Sequence, residues 1–359
     1  MNEARKSSIG PEAILGCLLG TAIGDAMGLA SEGLSKRRQA RLFPHLNGPR
    51  LLGHRGMVSD DTEHTCLVAQ ALIQSAGDPA AFSASFAWRL RFWLLGLPAG
   101  VGWATLRAAL KLSVGIPPSR SGVTSAGNGP AMRSALLGVC YGSDLQCLSA
   151  LVRVSTQITH TDRRAEAGAL AVALAAHLSA EAPSNLTEAY LRALKTLLGS
   201  DEAGFLPLAR QAAASAEAGE TTETFAASLG AGERVSGYVY QTVPVVLHAW
   251  FQFPRDYRSA VLSVIHCGGD TDTTAAIVGA IVGAGVGPDG IPPEWQSALC
   301  EWPRTTGWMT CLGDQLAAVC ANGQSQRPLS LPFLPLIGRN LFFTAVVLAH
   351  GFRRLLPPY

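Results

Sequence analysis

The chain is poor in charge: Asp, Glu, Lys and Arg make up 15% of its 359 residues and leave a formal net charge of +2. So small a surplus removes the electrostatic case for a polyanion partner, and no nucleic acid is expected. Cysteines at paired metal-binding spacings are missing. The eight present, Cys17, Cys66, Cys140, Cys147, Cys267, Cys300, Cys311 and Cys320, are scattered, which excludes a zinc site of the common kind and predicts buried thiols. Alternating, strand-like runs are scarce. In the carboxyl-terminal segment, the apolar runs 329–337 and 341–349 are split by Arg339 and Asn340. Each is far short of the roughly 20 residues that cross a bilayer. No transmembrane span is expected there, and a terminal helix packed on the rest is predicted, with a peripheral membrane or partner contact as the other reading. Residues 1–8 carry charge and no leader-like apolar core follows them, so a cytoplasmic location is the expectation.

What is present is apolar and small. The hydrophobic fraction is 48%, with 38 glycines, a composition suited to closely packed helices. Helical patterns fall at about 11–30, 62–76, 79–95, 103–113, 130–140, 144–157, 163–180, 186–198, 204–217, 221–229, 236–250, 256–265 and 273–285. Gly and Pro clusters such as 96–100 and 115–118 read as turns between them. The prediction is a mainly or wholly α-helical bundle, and no linker forces a division into domains.

Two acidic motifs stand about two hundred residues apart: Ser59-Asp60-Asp61-Thr62 and Asp270-Thr271-Asp272-Thr273-Thr274. Carboxylates at i and i+1, or i and i+2, do not share one face of a continuing helix, so each motif belongs to a loop or cap. Gly56 precedes the first and Gly268-Gly269 the second, and a helix-compatible apolar run follows each. Either motif alone reads as an ordinary N-cap. Together they offer four carboxylates with adjacent hydroxyls, hard oxygen donors of the kind that suit magnesium or manganese. Without a metal, such a cluster raises its own pKa values.

Glycine supplies the means of bringing the motifs together. Gly16, Gly20, Gly24 and Gly28 recur every fourth residue, as do Gly279, Gly283 and Gly287, with Ala275 extending the second series. At 3.6 residues per turn this draws a nearly straight groove of small residues along one helical face. Glycine costs roughly 1 kcal/mol per interior helical position relative to alanine, so the stripes imply a compensating close packing. Asp25 inside the first stripe favours a soluble setting over the membrane setting in which such stripes are also common.

Two loops carry further chemistry. Residues 124–130 contain Ser125, Gly127, Asn128 and Gly129 and lead through Pro130 into a helix, an arrangement that can expose amides to an anion or can be a plain junction. His160 stands between two helical patterns, and a lone histidine there is either structural or at a pocket rim. His64 and His266 lie nearer the acidic motifs and are candidates for support of that site.

With these blocks in view, the sequence resembles the ADP-ribosylglycohydrolase family. Gly20 to Gly28 with Glu32 is similar to that family's first helix and following glutamate. Ser59-Asp60-Asp61-Thr62 resembles its first metal motif, Gly127-Asn128-Gly129 with Met132-Arg133 its phosphate-side loop, and Gly268 to Thr273 its second metal motif. Similarity around 100–105 and Thr159-His160 extends the match over most of residues 11–287. The resemblance implies a compact single-domain orthogonal helical bundle over 11–325, with 326–359 as an apolar extension packed on it. It implies a cleft that receives ADP-ribose and two Mg2+ ions (Mn2+ in the alternative) held by Ser59, Asp60, Asp61, Asp270, Asp272 and Thr273. It assigns catalysis to Glu32 and Asp61, and substrate binding to Ser125, Gly127, Asn128, Gly129 and His160. The implied reaction is hydrolysis of the ribosyl bond of an ADP-ribosylated protein, arginine-linked first, or of a small-molecule acceptor, releasing ADP-ribose. The competing readings are a catalytically silent ADP-ribose-binding protein and a two-metal phosphohydrolase, the latter disfavoured by a lack of His-Asp pairs. The family's Gln-Met after the first motif is Glu63-His64 here, and a charged pair near the mouth is expected to alter acceptor choice.

Overall fold

The computed structural model of the chain describes residues 10–200 and 204–357. The expectation for residues 1–8 lies outside them. Among the described residues the elements are nineteen α-helices and two short 3-10 turns, with no β-strand, in agreement with the all-α prediction. Small polar residues set many of the starts. Ser59, Asp78, Asp162, Asp256 and Thr305 each accept a hydrogen bond from an amide of the helix that follows, satisfying donors that a helix start leaves without intrahelical partners.

The centre is an antiparallel pair, Pro11–Gly28 against Thr271–Val286, and the two glycine stripes are its seam. A Cβ added at Gly16 would stand 2.1 Å from the Gly283 carbonyl oxygen, at Gly20 2.2 Å from that of Gly279, and at Gly24 2.1 Å from that of Ala275. No side chain fits in these spaces, so backbone lies on backbone and the glycine cost is offset by dispersion and Cα–H···O contacts. The seam ends where Thr271 Oγ1 donates to the Gly28 carbonyl at 2.8 Å. Gly287, read from sequence as part of the stripe, keeps that place, its Cα 2.8 Å from where a Cβ on Gly16 would stand, and it also closes its helix at φ +70°. Around this pair pack the alanine-rich Arg163–Glu181 helix and Asp60–Ser75, the latter also against Pro79–Leu95 and Thr306–Asn322.

The structure refines the sequence reading in several places. The single helix expected over 130–140 is two, Gly129–Met132 and Ala135–Tyr141. Buried Arg133 interrupts it, reaching from the break to the Ser155 carbonyl at 2.8 Å and Thr159 Oγ1 at 2.7 Å. Short helices at Pro118–Ser121 and Pro293–Ser297 are additional to the predicted spans, as are two longer ones, Lys36–Leu42 and Thr306–Asn322. The second carries a legible stripe of buried Met309, Leu312, Leu316 and Val319, which Gly307 and Gly313 disguise. The two carboxyl-terminal apolar runs form one 21-residue helix, Phe333–Arg353, because Arg339 and Asn340 turn inward, each 1% exposed. That helix and 11–31 are long and apolar enough to cross a membrane by length and composition, and 11–31 is a buried core helix here. The cysteines are also not uniformly buried: Cys17, Cys66, Cys140 and Cys267 are, whereas Cys311 is exposed.

Candidate active site

The antiparallel seam determines where the acids meet. Because Gly28 packs on Thr271, the end of the first helix, with Glu32 just beyond it, lies beside the start of the Thr271 helix. There Asp270 is the N-cap and Asp272 lies in the first turn. The first motif is tied in by Asp25, a residue that sequence reasoning used as a sign of solubility and as part of the first-helix block, without a role in the site. Its carboxylate accepts from the Ser59 amide at 2.9 Å, the Thr62 amide at 3.2 Å and Thr62 Oγ1 at 2.5 Å, so it anchors the Asp60–Ser75 start to the central helix. The signal that could have found it was a carboxylate inside a stripe of small residues, where burial demands partners.

The acids themselves are only partly satisfied. Asp61 Oδ2 accepts from Ser59 Oγ at 3.0 Å and from Thr273 Oγ1 at 3.2 Å, a direct bridge between the motifs. Asp270 Oδ2 accepts from Asn128 Nδ2 at 2.6 Å. Asp61 Oδ1 and Asp272 Oδ1 are buried without a hydrogen-bond partner, a costly state for a carboxylate oxygen unless a cation or donor meets it. Burial, then the neighbouring carboxylates, pushes Asp61 and Asp272 well above the usual carboxylate range, and half-buried Asp60 is pushed the same way. Burial also raises Asp25, to about 7, against the hydrogen bonds from Thr62 and Ser59. Among the described residues no three His, Cys, Asp or Glu side chains form a ready set for a metal ion. The fit of a divalent cation therefore rests on a mixed set of carboxylates and hydroxyls, on two orphaned buried oxygens, and on mutual repulsion that a cation would relieve.

A cleft of about 340 Å³ opens over this cluster. Its walls include Glu32, Asp60, Asp270, Asp272 and Thr273 on the acidic side, and Ser125, Gly127, Asn128, Gly129 and His160 on the other. Ser59 and Asp61 lie buried beneath. The residues assigned to metal, catalysis and substrate binding are thus gathered at one place. A larger hollow of about 710 Å³ near Gly10, Glu181 and Asp289 lies at the opposite end of the glycine seam and holds none of them. Glu32 is exposed, and its carboxyl is raised by partial desolvation and by Asp270, with Arg354 opposing.

Several expected roles change. The Gly127 amide donates to Ser125 Oγ and the Asn128 amide to the Gly237 carbonyl, which narrows the anion cradle expected there. The Asn128 side chain fixes Asp270 and Thr242, so it holds the acidic wall as well as lining the cleft. His160 donates or accepts through Nδ1 with Thr159 Oγ1 at 2.8 Å. Burial and Arg133 depress its pKa to about 3, leaving a neutral imidazole that offers a hydrogen bond and no charge. Glu63 and His64 are not at the mouth. Glu63 is 2% exposed and paired with Arg304 at 3.1 Å and Arg339 at 3.4 Å; burial raises its carboxyl, and these arginines and Trp93 outweigh that and hold it below the usual range. His64 is fully buried against Trp93, while His266 is exposed and does not line the cleft. The aromatic at the cleft is one that was not singled out, Trp103, 73% exposed at the start of its helix.

The buried acids set a pH dependence. Their folded-state pKa values are raised, so their contribution is most favourable at low pH and is lost as pH rises through those values. Buried His64 and His160, lowered from 6.5, oppose this below about pH 6.5, so the window free of them opens at about pH 6.5. In chelator, urea unfolding should show stability falling with pH across that window, and a rise would contradict the assignment.

An all-helical fold that brings two acid-bearing helix starts to the floor of one polar cleft defines a class of enzyme site built on hard oxygen donors. Comparison with known sequences gives the particular family. A sequence profile described as ADP-ribosylglycohydrolase matches residues 7–326. An uncharacterised protein of Archaeoglobus fulgidus is 30% identical over 79% of this chain and 90% of its own length. ADP-ribosylhydrolase ARH3 of Gallus gallus is 28% identical over 81% and 89%, and the ADP-ribosyl-[dinitrogen reductase] glycohydrolase of Rhodospirillum rubrum 27% identical over 79% and 89%. A solved ADP-ribosylglycohydrolase-related protein complex superposes with a TM-score of 0.66 at 28% identity, covering 86% of this chain and 98% of that one. The chain belongs to the ADP-ribosylglycohydrolase family.

Proposed function

We propose that this glycohydrolase is metal-dependent and cleaves the ribosyl anomeric bond of ADP-ribosylated side chains, arginine-linked ones first, releasing ADP-ribose. The observation that carries the reading is the bridge from Thr273 to Asp61 with Asp61 Oδ1 and Asp272 Oδ1 left unpartnered. Ser59, Asp60, Asp61, Asp270, Asp272 and Thr273 are the residues that would hold two Mg2+, or Mn2+, ions. Such ions would supply positive charge to neutralise the acids and polarise ribose oxygens.

The residues of the chain then divide the work. Ser59 and Thr273 orient the Asp61 carboxylate, and Asn128 orients Asp270. Loss of the acceptor leaves positive charge on the ribose ring as an oxocarbenium-like state, which the surrounding carboxylates stabilise. A water oxygen adds to the anomeric carbon as the bond to the acceptor breaks, its proton passes to a carboxylate of the pair Glu32 and Asp61, and that proton is returned, directly or through solvent, to the departing acceptor nitrogen or oxygen. Neutral His160 and Ser125 offer hydrogen bonds to the remainder of ADP-ribose across the cleft.

Exposed Trp103 supplies an apolar face for the base. Base–aromatic stacking contributes about 1–3 kcal/mol, so Trp103→Ala should weaken ADP-ribose binding by about tenfold without changing the thermal midpoint. The test of the reaction is release of ADP-ribose from defined arginine-, serine- and small-molecule-linked substrates. Release from the arginine linkage alone supports the acceptor assignment, release from another linkage replaces it, and binding without any release favours the silent-protein reading.

A further inference from the structure

We infer that the carboxyl-terminal helix, Phe333–Arg353, is a positioning element of the active site, with Arg354 the residue that sets the loop carrying Glu32. The inference rests on the hydrolytic reading above, since Glu32 has a task only if that reading holds. The helix lies beyond residues 7–326, the part matched to the family.

Arg339 fixes one end. Its Nε and Nη2 meet both oxygens of Glu301 at 2.7 Å each, and Nη2 also donates to the Val58 carbonyl at 2.6 Å. Glu301 Oε2 in turn accepts from the Val58 amide at 3.1 Å. Both backbone groups of the residue immediately before Ser59 are therefore held by one buried ion pair, which limits how far the first acidic motif can shift. About 22 Å along the chain, at 1.5 Å per helical residue, Arg354 holds the other half of the site. Its Nη1 donates to the Glu32 carbonyl at 2.7 Å and its Nη2 to the Ala30 carbonyl at 3.1 Å, while its own carbonyl accepts from Arg38. The same loop is laid on the second motif, with the Gly33 amide donating to the Gly269 carbonyl at 2.7 Å and the Gly269 amide to the Leu34 carbonyl at 2.9 Å. One helix thus braces the approach to Ser59 and the loop of Glu32. The two carbonyls are spanned by a planar fork, which a lysine ammonium reproduces only in part.

The test uses full-length Arg354→Ala, Arg354→Lys and, as control, Arg353→Ala on the exposed side of the same turn. Hydrogen–deuterium exchange of residues 29–35 should lose protection in Arg354→Ala, stay near wild type in Arg353→Ala and be intermediate in Arg354→Lys, with the thermal midpoint unchanged. In the release assay, Arg354→Ala should lower kcat by about tenfold or more at nearly constant KM, because a misplaced catalytic group costs turnover before binding, and Arg354→Lys should recover part of it. Unchanged exchange at 29–35, or protection lost evenly over the whole chain, overturns the inference. If the wild-type protein releases no ADP-ribose, the hydrolytic reading fails, while the exchange result still decides whether Arg354 sets the loop.

Discussion

Asp272→Ala and Asp60→Ala each lower ADP-ribose release by about 10²–10⁴-fold, the range of a lost general acid–base or electrostatic group, while circular dichroism remains that of the folded helical protein. Both side chains line the cleft beside Thr273, and burial and like charge already strain them in the folded state. Removing one acid therefore takes away a donor oxygen without removing packing. The metal-free variants should be no less stable than wild type, because the carboxylate deleted is one whose neighbours repel it. Divalent-cation affinity, measured by calorimetry, should fall in both. Full turnover with unchanged cation binding would exclude these residues from the site.

The largest stability effect is expected at the glycine seam. In Gly24→Ala the new methyl carbon would stand 2.1 Å from the Ala275 carbonyl oxygen and 2.7 Å from its carbon, and both obstacles are backbone. The helices must separate, which costs about 3 kcal/mol, the upper end of usual overpacking penalties. Asp25, the next residue, holds Ser59 and Thr62, so the same shift carries the first acidic motif away from Asp270 and Asp272. Urea unfolding should show the lost stability and the release assay a parallel loss of turnover. A control at the exposed N-cap of the same helix, Gly10→Ala, has no atom within 4 Å of the added carbon and should cost only the preference of that cap for glycine, well under the seam variant.

These two sites also show what could be read from the sequence. Eight small-residue positions at a spacing of four fixed the face of each central helix, and acid-rich caps marked where each motif would stand, because both signals are local and periodic. The pairing of Gly28 with Thr271 explains why two motifs far apart in sequence share a floor. Tertiary partners of buried charge were not legible in the same way. Glu63 and His64 were expected near the mouth because they follow the first acidic motif, yet Arg304 and Arg339 reach Glu63 from the distant carboxyl-terminal part of the chain. Arg339 and Asn340 looked like interruptions in an apolar run for the same reason: their partners, Glu301 and the Gly96 carbonyl, come from other elements. Asn128 resembled a loop residue for substrate, and its bond to Asp270 depends on a contact 142 positions away in sequence.

The central claim is that the two acidic motifs form one cation-dependent hydrolytic site. It is tested most directly by stripping wild-type protein with chelator and following ADP-ribose release from an arginine-linked substrate as Mg2+ or Mn2+ is returned. The account predicts no release in chelator, saturable recovery with cation, and no recovery in Asp272→Ala at the same concentrations. Full release in chelator, or recovery in Asp272→Ala equal to wild type, would contradict it.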